Sequence, residues 1–304
     1  MISVLHTNSF LQRVSISLLS KLVRIIPDKL YLKWYFYVKL GYKLDLKKPV
    51  TFNQKLQWLK LHDKQPSYTK MVDKVAVKEY VAEKIGDKYI IPTIGVWDRF
   101  EDIDFSSLPK QFVLKTSHGG GNVGVYICRD KSHLDIISLR NRFKKAMKQN
   151  IYLYYKEWAY KNVPHRLFAE QYLQEDSSGE LHDYKVLCFD GIPKLIELHS
   201  GRNNGQTHTQ DFYTTEWKKT GISQGGYSAV SAVEHEKPSC LSEMLQLSAV
   251  LSKGITHCRV DWFVVKEKLF FGEITFFDGG GFCGFDKYED DVLLGSWINL
   301  KSLK

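Results

Sequence analysis

The chain is poor in cysteine, and the little it has is not arranged for use. Its five cysteines, Cys128, Cys188, Cys240, Cys258 and Cys283, are scattered and odd in number. None forms a C-x-x-C pair, so neither a disulfide framework nor a zinc site is expected, and a reducing cytoplasm suits the chain. Long apolar runs are missing as well. No stretch reaches the roughly eighteen residues that a membrane-spanning helix needs. The start, MISVLHTNSFLQRVSISLLS, lacks the basic segment and long apolar core of a secretory signal, so no export is expected. There is no Arg-rich block and no nucleic-acid motif, so the net charge of +9 does not by itself argue for DNA or RNA. No Ser/His/Asp or Cys/His triad is evident, and no internal repeat stands out.

What is present is the material of a folded protein. An apolar content of 43% and an aromatic content of 13% exclude a disordered chain. At 304 residues it can bury one large core or two modest ones. The basic balance points to an anionic partner: a nucleotide, an acidic glycan or a membrane surface.

Residues 1–48 read as a helical, basic, amphipathic extension. Leu11, Val14, Leu18 and Leu22 suit one helix, and Leu30 to Leu40 suits a second. Packing of these helices on the body is favoured, because apolar helix faces usually meet core. Tyr31, Trp34, Tyr35 and Tyr37 interleave with Lys33 and Lys39, so peripheral membrane contact is the alternative. Pro49 breaks the pattern, and Thr51 or Asn53 is placed to cap the next helix. Tyr68 to Ile85 reads as one helix with Gly86 as its cap. Phe112 to Lys115 and Val125 to Cys128 read as strands, and Ser132 to about Gln149 as a basic helix. Leu167 to Leu173, Asp183 to Phe189 and Lys194 to His199 follow as strands. Ser200 to Gly226 reads as loop, and Ser239 to Lys253 as a helix. The mixture predicts an α+β fold with antiparallel pairs, not βαβ alternation.

Two stretches carry chemistry. The first is THR-SER-HIS-GLY-GLY-GLY-ASN-VAL-GLY, residues 116–124, between two strands. Its glycines free the backbone to wrap phosphates with N–H groups. No Gly-Lys-Ser/Thr follows, which excludes a Walker A loop, and a strand follows instead of a helix, which excludes a dinucleotide fingerprint. A strand–glycine loop–strand hairpin has the form of a flap, with Lys115 at its base. A bare hairpin turn is the alternative.

The second stretch is His257 to Gly281, read as a hairpin with Val260 to Lys266 and Leu269 to Phe277 as strands about a Lys266-Glu267-Lys268 turn. Acids in the middle of apolar strands are costly unless paired, hydrogen-bonded or bound to a cation. If the turn centres on Glu267, Asp261 and Glu273 face each other, and like charges so placed suggest a metal between them. The alternative is a solvated pair, or acids bonded to nearby Arg259.

The order of these features resembles the ATP-grasp superfamily, and more closely the TupA-like ATP-grasp proteins of polysaccharide and teichuronopeptide clusters. The segments TFNQKLQWLKLHD (Thr51–Asp63), FVLKTSHGGGNVGV (Phe112–Val125), HDYKVLCFDGIPKLI (His182–Ile196) and RVDWFVV…FGEITFF (Arg259–Phe277) carry the likeness. The resemblance implies an ATP-grasp fold, two α+β subdomains clasping ATP. The helical extension would be followed by an ATP-grasp domain over residues 49–304, with a central subdomain at about 110–170 and a C-terminal one at about 171–304. It implies that Lys115, with Lys78, contacts ATP phosphates. Gly119, Gly120, Gly121, Asn122 and Gly124 form the flap, and Glu170, Gln171, Tyr172 and Leu173 the adenine hinge. Asp183 joins the nucleotide set. Lys185, Arg202 and Arg259 meet the transferring phosphoryl group. Asp261 and Glu273 hold Mg²⁺. Thr275 stands where many relatives have Asn, and it offers only a hydroxyl to the metal. Glu175 and Asp176 are candidates for the ribose.

The implied reaction is carboxylate–amine ligation through an acyl phosphate, which asks of side chains mainly positioning and charge neutralisation. The implied partners are an amino acid or amine and an acidic saccharide such as a uronic acid, with no nucleic acid. Three rivals are a kinase acting on a glycan hydroxyl, a glycosyltransferase and a binding module without catalysis. Asp-x-Asp, a metal motif of glycosyltransferases, is absent at Asp261; Asp102-Ile103-Asp104 has the spacing but lies in a loop-like acidic stretch. Retention of both acids and the lysines argues against a binding module.

Overall fold

The computed structural model describes residues 23–120, 123–173, 181–201, 208–225, 230–231 and 234–300. The helices are α1 (Asp28–Leu40), α2 (Phe52–His62), α3 (Ser67–Val72), α4 (Val77–Ile85), α5 (Ile136–Ala146), α6 (Ile151–Tyr155), α7 (Leu241–Leu251) and α8 (Tyr288–Ser296). The strands are β1 (Thr93–Trp97), β2 (Phe112–Thr116), β3 (Val125–Cys128), β4 (Leu167–Gln171), β5 (Asp183–Phe189), β6 (Ile192–Ser200), β7 (Thr209–Tyr213), β8 (His257–Val265) and β9 (Lys268–Thr275). They fall into two compact units. The smaller is Gln65–Tyr152 with Glu157–Gln174; the larger is Met1–Lys64, Leu153–Lys156 and Glu175–Lys304.

The smaller unit is built on a four-stranded sheet in the order β1-β4-β2-β3, every pair antiparallel. Strand β2 alternates buried and half-buried residues, and its buried Phe112 and Leu114 meet Leu139 and Phe143 of α5 in one core. Leu139, Phe143 and Ala146 recur at helical spacing, so α5 buries one face and leaves its lysines and arginines outside. Asp135 caps it, accepting from Ser138 N at 3.0 Å. The single helix expected over Tyr68–Ile85 is two. Asp73 breaks it, because its carboxylate accepts the backbone N–H groups of Val75 and Ala76 and so competes with the helical ladder.

The larger unit carries a five-stranded antiparallel sheet, β7-β6-β5-β8-β9. The central strand β5 is buried along its whole length. One face of the sheet packs on α7, where the Trp262 indole donates to Ser248 Oγ at 2.9 Å. Strand β7 lies inside the stretch expected to be loop; pairing with β6 overrides its polar composition. Helix α2 starts with a capping box between Thr51 and Gln54. Helix α1 buries Tyr31, Leu32, Tyr35, Phe36 and Leu40.

The β8–β9 hairpin differs from expectation at its turn. Only Lys266 and Glu267 form it, both with positive φ, the two-residue geometry that matches strand twist. Lys268 already pairs with Val265. An extra residue, Gly272, then shifts the register, and beyond this bulge Asp261 faces Glu273.

Candidate active site

In the smaller unit, Lys115 and Lys78 converge on one carboxylate. Glu170 is buried on β4, and its two oxygens meet Lys115 Nζ at 2.5 Å and Lys78 Nζ at 2.7 Å. Lys78 also donates to Ile91 O and Thr93 Oγ1. Burial works against a charge on Glu170, but the two lysines outweigh it and hold its carboxyl below the usual range. Burial lowers the Lys78 ammonium, with Glu170 opposing. Glu170 therefore holds two cations side by side.

The glycine loop closes over Thr116. A Cβ on Gly119 or Gly124 would lie 2.2 or 2.3 Å from Thr116 Oγ1, so close approach, not φ, requires glycine there. Thr116 N donates to Gly124 O, and Lys74 Nζ to Gly119 O. Gly120 lies against Ile151. Gly121 and Asn122 are outside the described residues. Just past the loop's start, His118 stacks on His165 with centroids 3.6 Å apart.

Of the expected hinge, Gln171 already gives its N–H to Pro92 O at 3.0 Å, and Tyr172 and Leu173 lie half-buried beyond the strand end. An open cleft of about 500 Å³ is lined by Pro92, Ile94, Pro109, Lys110, Gln111, Gln171 and Tyr172. Successive strand residues point to opposite faces, so Gln171 and this cleft lie across the sheet from Glu170 and its lysines.

In the larger unit, cross-strand pairing lines up Phe212, Glu197, Lys185, Asp261 and Glu273 in one row across the five strands. Buried Lys185 lies 2.6 Å from Asp261 Oδ2 and 2.8 Å from Asp183 Oδ2. Burial and Arg259 press its ammonium towards neutrality, but Asp183, Asp261 and Glu197 outweigh them and raise its pKa. Arg259 grips Asp261 with Nε at 2.7 Å and Nη2 at 2.8 Å, a bidentate pair, and reaches Asp278 through Nη1. Its Nη2 is 3.6 Å from Glu273 Oε1, and Thr275 Oγ1 donates to that same oxygen at 3.2 Å. The ion pair with Arg259 that stood as the alternative for Asp261 is thus present. Arg202, Glu175 and Asp176 are outside the described residues.

These groups fit a magnesium ion in number and kind. Mg²⁺ takes one or two carboxylates with water and phosphate oxygens, not a full protein cage, and no group of three or more His, Cys, Asp or Glu suited to a metal occurs among the described residues. Two carboxylates face each other, and Asp261 Oδ1 accepts only from Arg259 Nε among the described residues, which leaves it a lone pair.

Sequence reasoning missed Glu197 and Asp278. Both are acids in or beside apolar strands, the same signal that marked Asp261. It also missed why Gly279, Gly280 and Gly281 are glycines. All three have positive φ, and the carbonyls of Gly280 and Gly281 accept from Gln57 and buried Lys60 of α2. What approaches this turn closely is the chain's own helix: a Cβ on Gly281 would lie 2.4 Å from Gln57 Nε2.

Two antiparallel sheets, one with a lysine-based glycine hairpin and the other with an Arg-x-Asp strand paired to a Glu-x-Thr strand, are the parts of an ATP-grasp protein. The profile of the family described as TupA-like ATPgrasp matches residues 54–299, and the chain belongs to that family. No curated protein sequence matches it. Among solved structures it is similar to the D-alanine–D-alanine ligase of Helicobacter pylori, at 15% identity, covering 82% of this chain and 69% of that one, with a TM-score of 0.48. The Bacillus anthracis D-alanine–D-alanine ligase complexed with ATP shares 17% identity, with 76% and 60% covered and a TM-score of 0.40. The ATP-grasp ligase PsnB, complexed with minimal precursor, Mg and ADP, shares 9%, with 73% and 57% covered and a TM-score of 0.39.

Proposed function

We propose that the chain joins an amino acid to an acidic saccharide, a uronic acid or its precursor, in surface-polysaccharide biosynthesis. The observation that carries this reading is the charged row of the larger unit: two buried cations, Lys185 and Arg259, set beside the facing carboxylates of Asp261 and Glu273. Ligation needs that pairing. The substrate carboxylate attacks the γ-phosphorus of ATP, ADP leaves, and an acyl phosphate forms. The ammonium first gives up a proton to become the free amine, whose nitrogen attacks the acyl carbon; the bond from that carbon to the phosphate oxygen breaks, phosphate leaves, and the nitrogen loses its second proton to phosphate or water, giving an amide.

Lys185 and Arg259 neutralise charge on the transferring phosphoryl group, with Arg202 as a further cation of the set. Lys115 and Lys78 bind the other phosphates and exchange Glu170 for them. Gly119 to Gly124 close over the phosphates, and Tyr172 and Leu173 meet the adenine. Asp261, Glu273 and Thr275 would hold Mg²⁺, which offsets phosphate charge and orients the oxygens in line. Asp183 keeps Lys185 in place from the nucleotide side. The resemblance to TupA-like proteins of polysaccharide clusters, drawn from the sequence, and the net charge of +9 favour an acidic saccharide.

Peripheral contact with the inner face of a membrane is part of this proposal. Ile25, Leu30, Trp34 and Tyr37 are exposed, opposite the buried side of α1, and Lys29 and Lys33 lie beside them. Co-sedimentation with vesicles of phosphatidylglycerol and phosphatidylcholine checks it; equal binding by the wild type and the W34A/Y37A double variant would remove it.

Hydroxylamine trapping tests the chemistry. With ATP, Mg²⁺ and D-glucuronate, the enzyme is expected to yield a hydroxamate with stoichiometric ADP. A saccharide phosphate formed without hydroxamate would establish the glycan kinase instead.

A further inference from the structure

The two carboxylate oxygens of Glu197, in the charged row, are in different states. Oε1 is saturated: the His199 ring lies against it through Nε2, and the Gln210 amide donates to it at 2.6 Å. Oε2 is buried and accepts nothing among the described residues. The whole residue is 2% exposed. Burial disfavours its charge, but His199, Arg259 and Lys185 outweigh burial and hold it ionised. A buried, ionised oxygen without a hydrogen bond is costly unless a ligand completes it.

Its place says what that ligand is. Glu197 pairs directly with Lys185 across β6 and β5, and Lys185 with Asp261 across β5 and β8. Directly opposed residues share a face, and neighbouring strands are about 4.8 Å apart. Glu197 is thus one strand from the lysine read as holding the phosphoryl group, and about two strands from Asp261. Neither Lys185 nor Arg259 forms an ion pair with it among the described contacts. The reaction needs one more charged reactant beside the acyl phosphate, the amine, which reaches the enzyme as an ammonium ion because aliphatic amines titrate above neutral pH.

We propose that Glu197 Oε2 binds the ammonium group of the amine co-substrate, on the opposite side of Lys185 from Asp261 and Glu273. This rests on the ligase reading above. The sheet then lays out amine, phosphoryl group and metal in adjacent columns. His199 and Gln210 are positioning residues: they fix Oε1 and so turn Oε2 towards the ligand. His208 Nε2, 2.9 Å from His199 Nδ1, holds the ring from its other side.

The test is calorimetric titration of the full-length protein, loaded with Mg²⁺ and a non-hydrolysable ATP analogue. The titrants are primary amines: the standard amino acids, ethanolamine and putrescine. The wild type is expected to bind at least one of them, and Glu197→Gln to bind that amine at least about tenfold more weakly, the loss of one charge-assisted hydrogen bond. Should Glu197→Gln not fold, Glu197→Asp carries the test, because it keeps the charge but withdraws the oxygen; it too is expected to bind more weakly. Equal affinity in wild type and variant, or no binding of any amine by the wild type, overturns the proposal. Failure of the ligase reading shows separately, as absence of hydroxamate from the wild type with hydroxylamine, which is largely uncharged at neutral pH and does not need a carboxylate anchor.

Discussion

Asp261 lies directly opposite Glu273 because Gly272 is an extra residue in β9. The turn at Lys266-Glu267 alone sets a register in which Trp262 faces Phe271, and continuing it would put Gly272 opposite Asp261. The bulge moves Glu273 into that position. A Cβ on Gly272 would lie 3.1 Å from Asp261 O and 3.3 Å from the Phe263 ring, so the site also favours the smallest residue.

Inserting one alanine between Gly272 and Glu273 should therefore be far more damaging than lengthening a loop. A one-residue slip turns a strand's side chains to the other face, so Glu273 would leave the row. Mg²⁺-dependent ADP release is expected to fall by more than about a hundredfold, while far-UV circular dichroism keeps the strand signal. Release within a few-fold of wild type would show that Glu273 need not face Asp261.

Lys115→Ala should raise the Kd for ATP by roughly tenfold or more, since a charge-assisted phosphate contact is lost. Calorimetry with the non-hydrolysable analogue measures this. An unchanged Kd would take Lys115 and the glycine hairpin out of the nucleotide site.

Glu170→Gln should cost about 2–3 kcal/mol of stability in urea unfolding, because Lys78 and Lys115 lose their shared carboxylate while remaining mostly buried. Saturating ATP should recover more stability in this variant than in the wild type, as phosphate supplies the missing charge. If ATP stabilises both proteins equally, the lysines do not exchange Glu170 for phosphate.

His118 gives the fold an acid-sensitive window. Burial and then its neighbour His165 depress its pKa from 6.5 to about 4. Between those values the unfolded chain binds a proton that the folded one refuses, so stability rises with pH across the window and is lost on acidification. The slope contributed is at most about 1.4 kcal/mol per pH unit. Melting curves from pH 4 to 7 are expected to be flatter for His118→Phe. Buried His257, held down to about 3, adds the same sign in both proteins. An identical pH slope in the variant would contradict the assignment.

Much of the site was legible because its signals are local. Acids inside the apolar runs around Asp261 and Glu273, a lysine before a glycine run, and period-two strands all follow from short-range chemistry. Less was legible where partners are distant in the chain. Glu170 sits in an ordinary strand, and only the fold brings Lys78 to it from α4. Glu197 lies in an apolar strand just as Asp261 does, but Gln210, which helps complete its Oε1, comes from another strand. Strand β7 was hidden by its polar composition, and the α3–α4 break by the carboxylate of Asp73, whose capping geometry no periodicity reports. The route to the Asp261–Glu273 pairing, a tighter turn plus a bulge, has no sequence mark beyond Gly272 itself.

The most direct measurement is product analysis after incubation with ATP, Mg²⁺, D-glucuronate and each standard amino acid in turn, using wild type, Asp261→Asn and Glu273→Gln. The account predicts an amide formed with equal amounts of ADP and free phosphate by the wild type, and neither amide nor ADP from the two variants. A phosphorylated saccharide without free phosphate, or wild-type turnover in either variant, would contradict it.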